Sequence, residues 1–141
     1  MQEYLHFASN HILLFAALAA ILATIAWVEF QRIGSGVKHL DANEAVRLMN
    51  QDDTLVLDVR EDAELREGRI GKAKHIPLRD LDKRLKELEK HRNKNIIVYC
   101  RSGARSARAC AVLRKAGFEQ VTNLRGGLIA WREAKLPVRK R

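Results

Sequence analysis

A cysteine at the end of an apolar run is the residue in this sequence with the clearest capacity for chemistry. The segment 95–100 reads Asn-Ile-Ile-Val-Tyr-Cys and predicts a buried β-strand, and an alanine-rich helix is expected from about Ala104 to Ala116. Backbone N–H groups converge at such a strand–loop–helix turn, where the helix dipole is positive, and this loop also carries two arginines. These features favour the thiolate, so Cys100 is predicted to be a nucleophile. The anion-binding loop that should follow it consists of Arg101, Ser102, Gly103, Ala104, Arg105 and Ser106.

A second strand end carries an acidic and a basic residue. The apolar run at 54–59 predicts another strand, which contains Asp58 and leads into Arg60. Ligands of parallel α/β sheets bind beyond the carboxyl ends of the strands, so we expect Asp58, Arg60 and Cys100 to share one site. We interpret Asp58 and Arg60 as a buried acid–base pair that supports the loop, and we expect Arg105 to order the loop through Asp58.

Helical and extended patterns alternate through the chain after residue 37. Asp41 and Glu44 have the spacing of a capping box and predict a helix that ends near Asn50. The charged run 80–90 carries leucines on one face, which predicts an amphipathic helix. Further elements are predicted as a short helix at 62–67, an extended segment at 75–78, a strand at 120–124 and a last helix after Gly126 and Gly127. This alternation predicts an α/β fold, a small parallel sheet with helices on both faces.

The beginning of the chain is different in composition. Between Tyr4 and Val28 there is no Asp, Glu, Lys or Arg, and the stretch 12–28 is almost wholly apolar. A helix rises about 1.5 Å per residue, so this stretch is long enough to cross a bilayer core of about 30 Å. A cleaved signal peptide is the alternative, but the first three residues, Met-Gln-Glu, lack the basic start of such a peptide. We therefore predict one transmembrane helix.

Positive charge lies on only one side of this predicted span. None of the 26 Lys and Arg residues precedes it, whereas Arg32, Lys38 and Arg47 follow it. The positive-inside rule then predicts a single-pass protein of the inner (cytoplasmic) membrane, with its N-terminus outside and its C-terminal domain in the cytoplasm. Two cysteines fit neither a disulfide framework nor a zinc site, which agrees with a reducing compartment. Cys110, in mid-helix among alanines, is expected to be a core residue.

Four segments of the chain resemble the rhodanese family in its single-domain form. They are Leu57-Asp-Val-Arg-Glu61, His75-Ile-Pro-Leu78, Cys100-Arg-Ser-Gly-Ala-Arg-Ser106 and Asn123-Leu-Arg-Gly-Gly-Leu-Ile-Ala-Trp131. They occur in the family's order, and the one visible departure is Arg69, where members often have histidine. The predicted organisation is a transmembrane anchor at 1–30, a linker at 31–37, a rhodanese domain at 38–136 and a basic tail with a solvated end at 137–141.

The resemblance implies sulfurtransferase chemistry that needs neither a metal nor an organic cofactor. Cys100 would take a sulfane sulfur from a small anionic donor such as thiosulfate, become a persulfide and pass the sulfur to a thiol or to cyanide. Arg101 and Arg105 would meet the charge of the donor. The loop amides would hold the terminal sulfur and the leaving sulfite by oxyanion-type hydrogen bonds.

Other functions stay open at this point. One is a cysteine-dependent phosphatase or arsenate reductase. The related phosphatases carry a Cys-x5-Arg loop, whereas Cys100 to Arg105 is Cys-x4-Arg, and in the rhodanese resemblance the shorter loop goes with sulfur substrates. Another is a membrane-tethered interaction module that docks on integral membrane proteins. The 26 Lys and Arg against 17 Asp and Glu would suit nucleic acid, but no aromatic platform or binding motif accompanies them, so we expect no nucleic-acid partner.

Overall fold

A computed structural model describes residues 1, 4, 7, 10–34, 36–51 and 53–140 of the chain. The chain divides into two compact units, Met1–Gly36 and Val37–Arg141. In the first unit, helix α1 spans Ile12–Gly34. Its segment Ile12–Phe30 is long and apolar enough to cross a membrane, by length and composition. The helix continues into the residues predicted as a linker, of which residue 35 lies outside the described part of the chain.

The second unit is built on a five-stranded sheet. Its strands are β1 at Lys38–Leu40, β2 at Leu55–Asp58, β3 at Lys74–His75, β4 at Ile96–Tyr99 and β5 at Val121–Leu124, and they lie in the order β1-β5-β4-β2-β3. Every pair of neighbouring strands is parallel, as the alternating pattern predicts. The short strand β3 lies at the edge, where the proline that follows it costs no hydrogen bond of the sheet.

Three α-helices and three 3₁₀ helices cover this sheet within the described residues. The predicted capping box is confirmed, because the Glu44 amide donates to Asp41 Oδ1 at 2.8 Å and the Asp41 amide donates to Glu44 Oε2 at 2.9 Å. The α-helices are α2 at Ala42–Met49, α3 at Ala104–Lys115 and α4 at Gly127–Glu133. The 3₁₀ helices are η1 at Asp62–Glu67, η2 at Leu78–Asp80 and η3 at Asp82–His91.

The prediction of an amphipathic α-helix over 80–90 is wrong in type, because this segment forms η2 and η3. Leu81 and Leu88 are buried as expected. Two ion pairs join residues three positions apart, Arg84 with Glu87 and Glu89 with Arg92. Side chains three apart eclipse in a 3₁₀ helix, so the tighter winding brings these opposite charges together while it keeps the leucines in the core.

The two faces of the sheet pack into two separate hydrophobic clusters, which confirms helices on both faces. Successive residues of β4 alternate between them: Val98 and the following Cys100 belong to one cluster, and Tyr99 belongs to the other. Cys110 is fully buried in the same cluster as Cys100, so its expected place in the core is confirmed. The Cys100 side chain, directly after β4, therefore lies on the face of the sheet against which α3 packs.

Residues 137–139, which the sequence assigns to a basic tail, are held against the folded domain. Arg139 forms an antiparallel bridge with Arg69, in which each amide donates to the other's carbonyl at 2.9 and 2.8 Å. The Trp131 indole N–H donates to the Pro137 carbonyl at 3.0 Å, and Val138 packs against one of the two clusters. The folded unit therefore continues past the boundary predicted at residue 136. Arg141 lies outside the described residues.

Candidate active site

Cys100 follows the last residue of β4, and its sulfur is surrounded by hydrogen-bond donors of the loop after it. The Gly103 amide lies 3.1 Å from Cys100 Sγ, and the Ser106 amide and hydroxyl each lie 3.4 Å from it. All three donate toward the sulfur. We call residues 100–106 the Cys100 loop. The convergence of donors that the sequence predicts is present in the structure.

The electrostatic balance at Cys100 favours the thiolate. Burial alone would raise the pKa of the thiol, but hydrogen bonds from the Ser106 hydroxyl and from the amides of Ser106, Gly103 and Ser102 outweigh it, so the pKa of Cys100 is lowered. Helix α3 begins at Ala104 and adds the positive end of its dipole. The thiolate of Cys100 is thus stabilised mainly by backbone groups, as a nucleophilic cysteine would require.

Helix α4 holds the back of the Cys100 loop. The Leu128 amide donates to the Cys100 carbonyl at 2.9 Å, and the Ile129 amide donates to the Arg101 carbonyl at 3.1 Å. A Cβ at Gly127 would lie 2.4 Å from the Cys100 carbonyl oxygen, and φ at this glycine is +56°. Gly127 therefore allows the backbone of α4 to lie close to the Cys100 loop. The sequence did not reveal this role, because there the glycine was interpreted as part of a turn.

Asn123 of β5 supports the loop from a third direction. This side chain is 3% exposed, and its Nδ2 donates to the Gly103 carbonyl at 3.2 Å. Gly103 is in the left-handed region with φ +95°, and its own amide is the donor closest to the sulfur. The asparagine consequently holds Gly103, the residue whose amide donates to Cys100 Sγ. Sequence reasoning did not single out this residue.

The prediction that Arg105 acts through Asp58 is wrong, because Arg105 pairs with Glu64. Both terminal nitrogens of the guanidinium donate to the two carboxylate oxygens of Glu64 at 2.7 Å. The pair lowers the pKa of Glu64 to about 2 and raises that of Arg105. Glu64 lies 41 positions before Arg105, on η1, so only the tertiary structure brings the two together.

Asp58 and Arg60 form a buried ion pair, as predicted, but the pair holds η1 and reaches the Cys100 loop only through it. Both side chains are 0% exposed, and Arg60 Nη2 lies 2.7 Å from Asp58 Oδ2. Arg60 also donates to the carbonyls of Glu64 at 3.2 Å and Gly68 at 2.7 Å, one within η1 and one just after it. The Tyr99 hydroxyl donates to Asp58 at 2.8 Å. The support of the loop therefore runs from Asp58 to Arg60, to η1 and finally to Arg105.

Arg101 lies at the outer edge of the Cys100 loop. Its side chain is 56% exposed, and it pairs with Glu67 of η1 at 3.3 Å. Arg132 of α4 shares the same carboxylate at 3.8 Å. An exposed ion pair of this kind is weak, so Arg101 can exchange Glu67 for an anionic ligand at little cost.

The profile of the rhodanese-like domain matches residues 41–134. The chain belongs to the rhodanese-like family. A protein named sulfurtransferase from Allochromatium vinosum is 44% identical over 92 residues, which are 65% of this chain and 84% of that protein. The Escherichia coli K12 protein named uncharacterized protein YibN is 35% identical over 139 residues, 98% of this chain and 97% of its own length. That second match extends through the N-terminal apolar helix.

Solved structures agree on the rhodanese-like fold. A rhodanese-related protein from Thermoplasma volcanium superposes with a TM-score of 0.67 at 33% identity, over 74% of this chain and 99% of that one. Nearly the whole of that protein is covered by this similarity. In this chain, both hydrophobic clusters consist of residues from the second unit, so this unit has a core of its own. Rhodanese-like domains carry no cofactor and act through a cysteine persulfide. Within the described residues, no group of three or more His, Cys, Asp and Glu side chains could hold a metal ion.

Two other residues of the rhodanese-like domain have side chains that could react, but neither is suited to act as a nucleophile. Burial raises the pKa of the Cys110 thiol to about 12, so this cysteine is protonated at neutral pH and is a poor second nucleophile. His75 Nε2 lies 2.7 Å from the Arg60 carbonyl oxygen, which fits the structural role expected for this histidine. Of the two cysteines, Cys100 is therefore the better candidate for a nucleophile.

Replacement of Gly127 by alanine should damage the Cys100 loop. The new Cβ would collide with two backbone carbonyl groups of the loop, so Gly127→Ala is expected to lower the free energy of unfolding by about 3 kcal/mol or more. The matched control is Gly71→Ala, since Gly71 has nearly the same φ, +54°, and its nearest Cβ neighbour is 3.5 Å away. The control should cost about 1 kcal/mol. Urea unfolding checks both values, and equal losses would show that backbone strain alone matters at Gly127.

The Glu64–Arg105 pair should give stability that depends on pH. The pKa of Glu64 falls from 4.5 to about 2 on folding, so its contribution is complete above about pH 4.5 and is lost as the pH falls toward 2. Glu64→Gln is therefore expected to be less stable than the wild type by about 1–2 kcal/mol at pH 7, with a smaller difference at pH 3.

Urea titrations from pH 3 to pH 7 measure this difference. The control is Glu119→Gln, which removes an equal charge from an exposed position. It should show little difference from the wild type at either pH. A Glu64→Gln difference that stays constant between pH 3 and pH 7 would contradict the assignment of the stabilising charge to Glu64.

Proposed function

We propose that this protein is a sulfurtransferase that moves a sulfane sulfur from a thiosulfate-type donor to a thiol or cyanide acceptor, through a persulfide on Cys100. The observation that carries the proposal is the set of three donors within 3.4 Å of Cys100 Sγ, in a domain of the rhodanese-like family. These donors stabilise negative charge on sulfur. Such charge is present on the thiolate before the reaction and on the persulfide after it.

In the first step, the Cys100 thiolate attacks the outer, sulfane sulfur of the donor. A new S–S bond forms to Cys100, and the bond between the sulfane sulfur and the sulfonate sulfur breaks. Sulfite leaves with the electron pair of the broken bond, so no external oxidant or reductant is needed. The amides of Gly103 and Ser106 are positioned for the transferred sulfur, and the exposed Arg101 is positioned for the sulfonate oxygens.

In the second step, an acceptor thiolate or cyanide attacks the outer sulfur of the persulfide. The bond from that sulfur to Cys100 breaks, and Cys100 leaves as a thiolate. Its lowered pKa makes it a good leaving group, because the same hydrogen bonds that stabilise the thiolate before attack stabilise it on departure. The loop therefore serves both halves of the cycle without a change in protonation.

The loop supports a sulfur substrate better than a phosphate. The Cys-x5-Arg loop of the related phosphatases wraps a tetrahedral phosphate, whereas Arg105 closes a loop that is one residue shorter. Both terminal nitrogens of Arg105 donate to Glu64 in a two-pronged ion pair, so this arginine is held toward η1 and supports the loop. Of the two arginines expected to meet the donor, Arg101 has the longer and more exposed ion pair and is therefore the better candidate.

We further propose that helix α1 anchors the protein in the cytoplasmic membrane, with its N-terminus outside and the rhodanese-like domain in the cytoplasm. The apolar segment Ile12–Phe30 and the basic residues after it support this topology. A cytoplasmic domain would also keep Cys100 reduced. In this topology, membrane-bound donors, acceptors or partner proteins would have preferred access to Cys100. Docking on integral membrane proteins stays a prediction from the sequence.

Mass spectrometry of the intact domain tests the sulfur transfer. The domain at 37–141, treated with thiosulfate and desalted, should gain about 32 Da, the mass of one sulfur atom on Cys100. Addition of cyanide should remove the gain and release thiocyanate. Cys100→Ser should show no gain, and the matched control Cys110→Ser should behave like the wild type. A gain that survives in Cys100→Ser, or phosphate release from an aryl phosphate without any sulfur adduct, would overturn the proposal.

Cysteine accessibility in intact cells tests the topology. In a background of Cys100→Ser and Cys110→Ser, Gln2→Cys should react with a membrane-impermeant maleimide added outside the cells. Lys140→Cys should react only after lysis, because the domain is expected inside. The opposite pattern would reverse the orientation, and labelling of both sites without lysis would contradict a cytoplasmic domain.

A further inference from the structure

A cavity of about 780 Å³ lies beside η1, and its lining shares no residue with the Cys100 loop. Two residues of η1, Glu64 and Glu67, pair with arginines of the loop. Three others, Asp62, Leu65 and Arg66, line the cavity. Five of the nine lining residues are basic, namely Arg66, Arg69, Lys72, Arg139 and Lys140. We call this the basic cavity.

The positive charge of the basic cavity is not neutralised by neighbouring side chains. Within the described residues, none of its five basic side chains forms an ion pair or a side-chain hydrogen bond. Asp62 is the one carboxylate of the lining, and it already pairs with Arg79 at 3.3 Å. The cations at the Cys100 loop are different, because Arg101 and Arg105 both have carboxylate partners. The basic cavity thus has charge available for an anion.

Two of the cations are held directly opposite each other. Arg69 and Arg139 form a hydrogen-bonded antiparallel pair, with backbone N–H···O distances of 2.9 and 2.8 Å. Side chains of such a pair lie on the same side of the ladder, and like charges at these positions repel. A bound anion between them would turn this repulsion into attraction. The repulsion between the two arginines therefore raises the electrostatic free energy of the bridge when no anion is present. Binding of an anion would offset this cost.

The frame around this pair is well supported. The Trp131 indole N–H holds the Pro137 carbonyl at 3.0 Å, and the Tyr99 hydroxyl accepts from the Ile70 amide at 3.1 Å. Gly68 lets Val138 approach, since a Cβ at Gly68 would lie 2.3 Å from Val138 Cγ1. Backbone segments on both sides of the bridge are thus anchored in the core. Little ordering would be needed for the two arginines to converge on one ligand.

We propose that the basic cavity binds a phosphate group, on an anionic phospholipid headgroup or on a soluble phosphate compound. Arg69 and Arg139 form the centre of the site, because guanidinium groups bind phosphate oxygens through paired hydrogen bonds. Arg66, Lys72 and Lys140 supply charge around it. The proposal is independent of the sulfur chemistry, since no residue of the Cys100 loop takes part.

Vesicle binding by the domain at 37–141 tests the proposal, because this form lacks helix α1. Sedimentation with phosphatidylglycerol vesicles, compared with phosphatidylcholine vesicles, measures the headgroup arm. The double variant Arg69→Gln and Arg139→Gln is expected to weaken binding about 30-fold, the effect of two cations lost beside an anionic surface. The matched control is Lys83→Gln with Lys86→Gln, which removes the same charge from exposed positions on η3.

Calorimetry with glycerol 1-phosphate and with inorganic phosphate measures the soluble arm. Vesicle binding that fails in the Arg69 and Arg139 double variant but not in the lysine control assigns the site to a lipid headgroup. Calorimetric binding with the same pattern, in the absence of vesicle binding, assigns it to a soluble phosphate compound. Equal losses in both double variants would mean that only net charge matters and would overturn the site. Absence of binding in both arms would overturn it as well.

The sulfur chemistry provides an independent check of the two claims. Cys100→Ser should bind vesicles or phosphate as the wild type does, and the Arg69 and Arg139 double variant should still gain about 32 Da from thiosulfate. Failure of the phosphate site would leave the sulfurtransferase proposal intact, and the reverse also holds. A double variant that loses both properties would instead indicate a damaged fold, and its thermal unfolding distinguishes that outcome.

Discussion

The buried ion pair between Asp58 and Arg60 is the interaction on which the rest of the domain depends. Both side chains are 0% exposed, and such a pair is tolerated only when further hydrogen bonds satisfy its remaining atoms. Here the Tyr99 hydroxyl and the carbonyls at Glu64 and Gly68 do so. The consequence is that a segment with no buried residue of its own, η1, is fixed against the end of the sheet. Both the Cys100 loop and the basic cavity are built on this segment.

Backbone groups contribute more to the stabilisation of negative charge on Cys100 Sγ than cationic side chains do. Arg105 is paired with Glu64, and Arg101 shares Glu67 with Arg132, so both arginines of the loop already have carboxylate partners. The groups within reach of Cys100 Sγ are amides and one hydroxyl. Neutral donors of this kind would suit the proposed sulfur transfer, because they stabilise an anionic sulfur without forming an ion pair that the product must break.

Charge is distributed very differently on the two sides of η1. On the side of the loop, carboxylates neutralise the arginines, whereas on the side of the basic cavity five cations lack partners within the described residues. A net charge of +9 could have been read as a general property of the surface. The structure shows instead that part of this charge is concentrated around one backbone bridge. A local concentration of charge indicates a candidate binding site, whereas charge spread evenly over the surface would indicate only solubility.

The sequence by itself determined the parallel sheet, the position of Cys100 at a strand end, the burial of Asp58 with Arg60 and the long apolar helix. These follow from local patterns, such as runs of apolar residues and the capping box at Asp41. The sequence could not determine the Glu64–Arg105 pair, the approach of Gly127 to the Cys100 carbonyl, or the bridge from Arg69 to Arg139. Each of these joins residues far apart in the chain, and only the packing of the strands brings them together. The sequence also did not predict the 3₁₀ winding of 82–91, because the same spacing of leucines and charges is compatible with an α-helix.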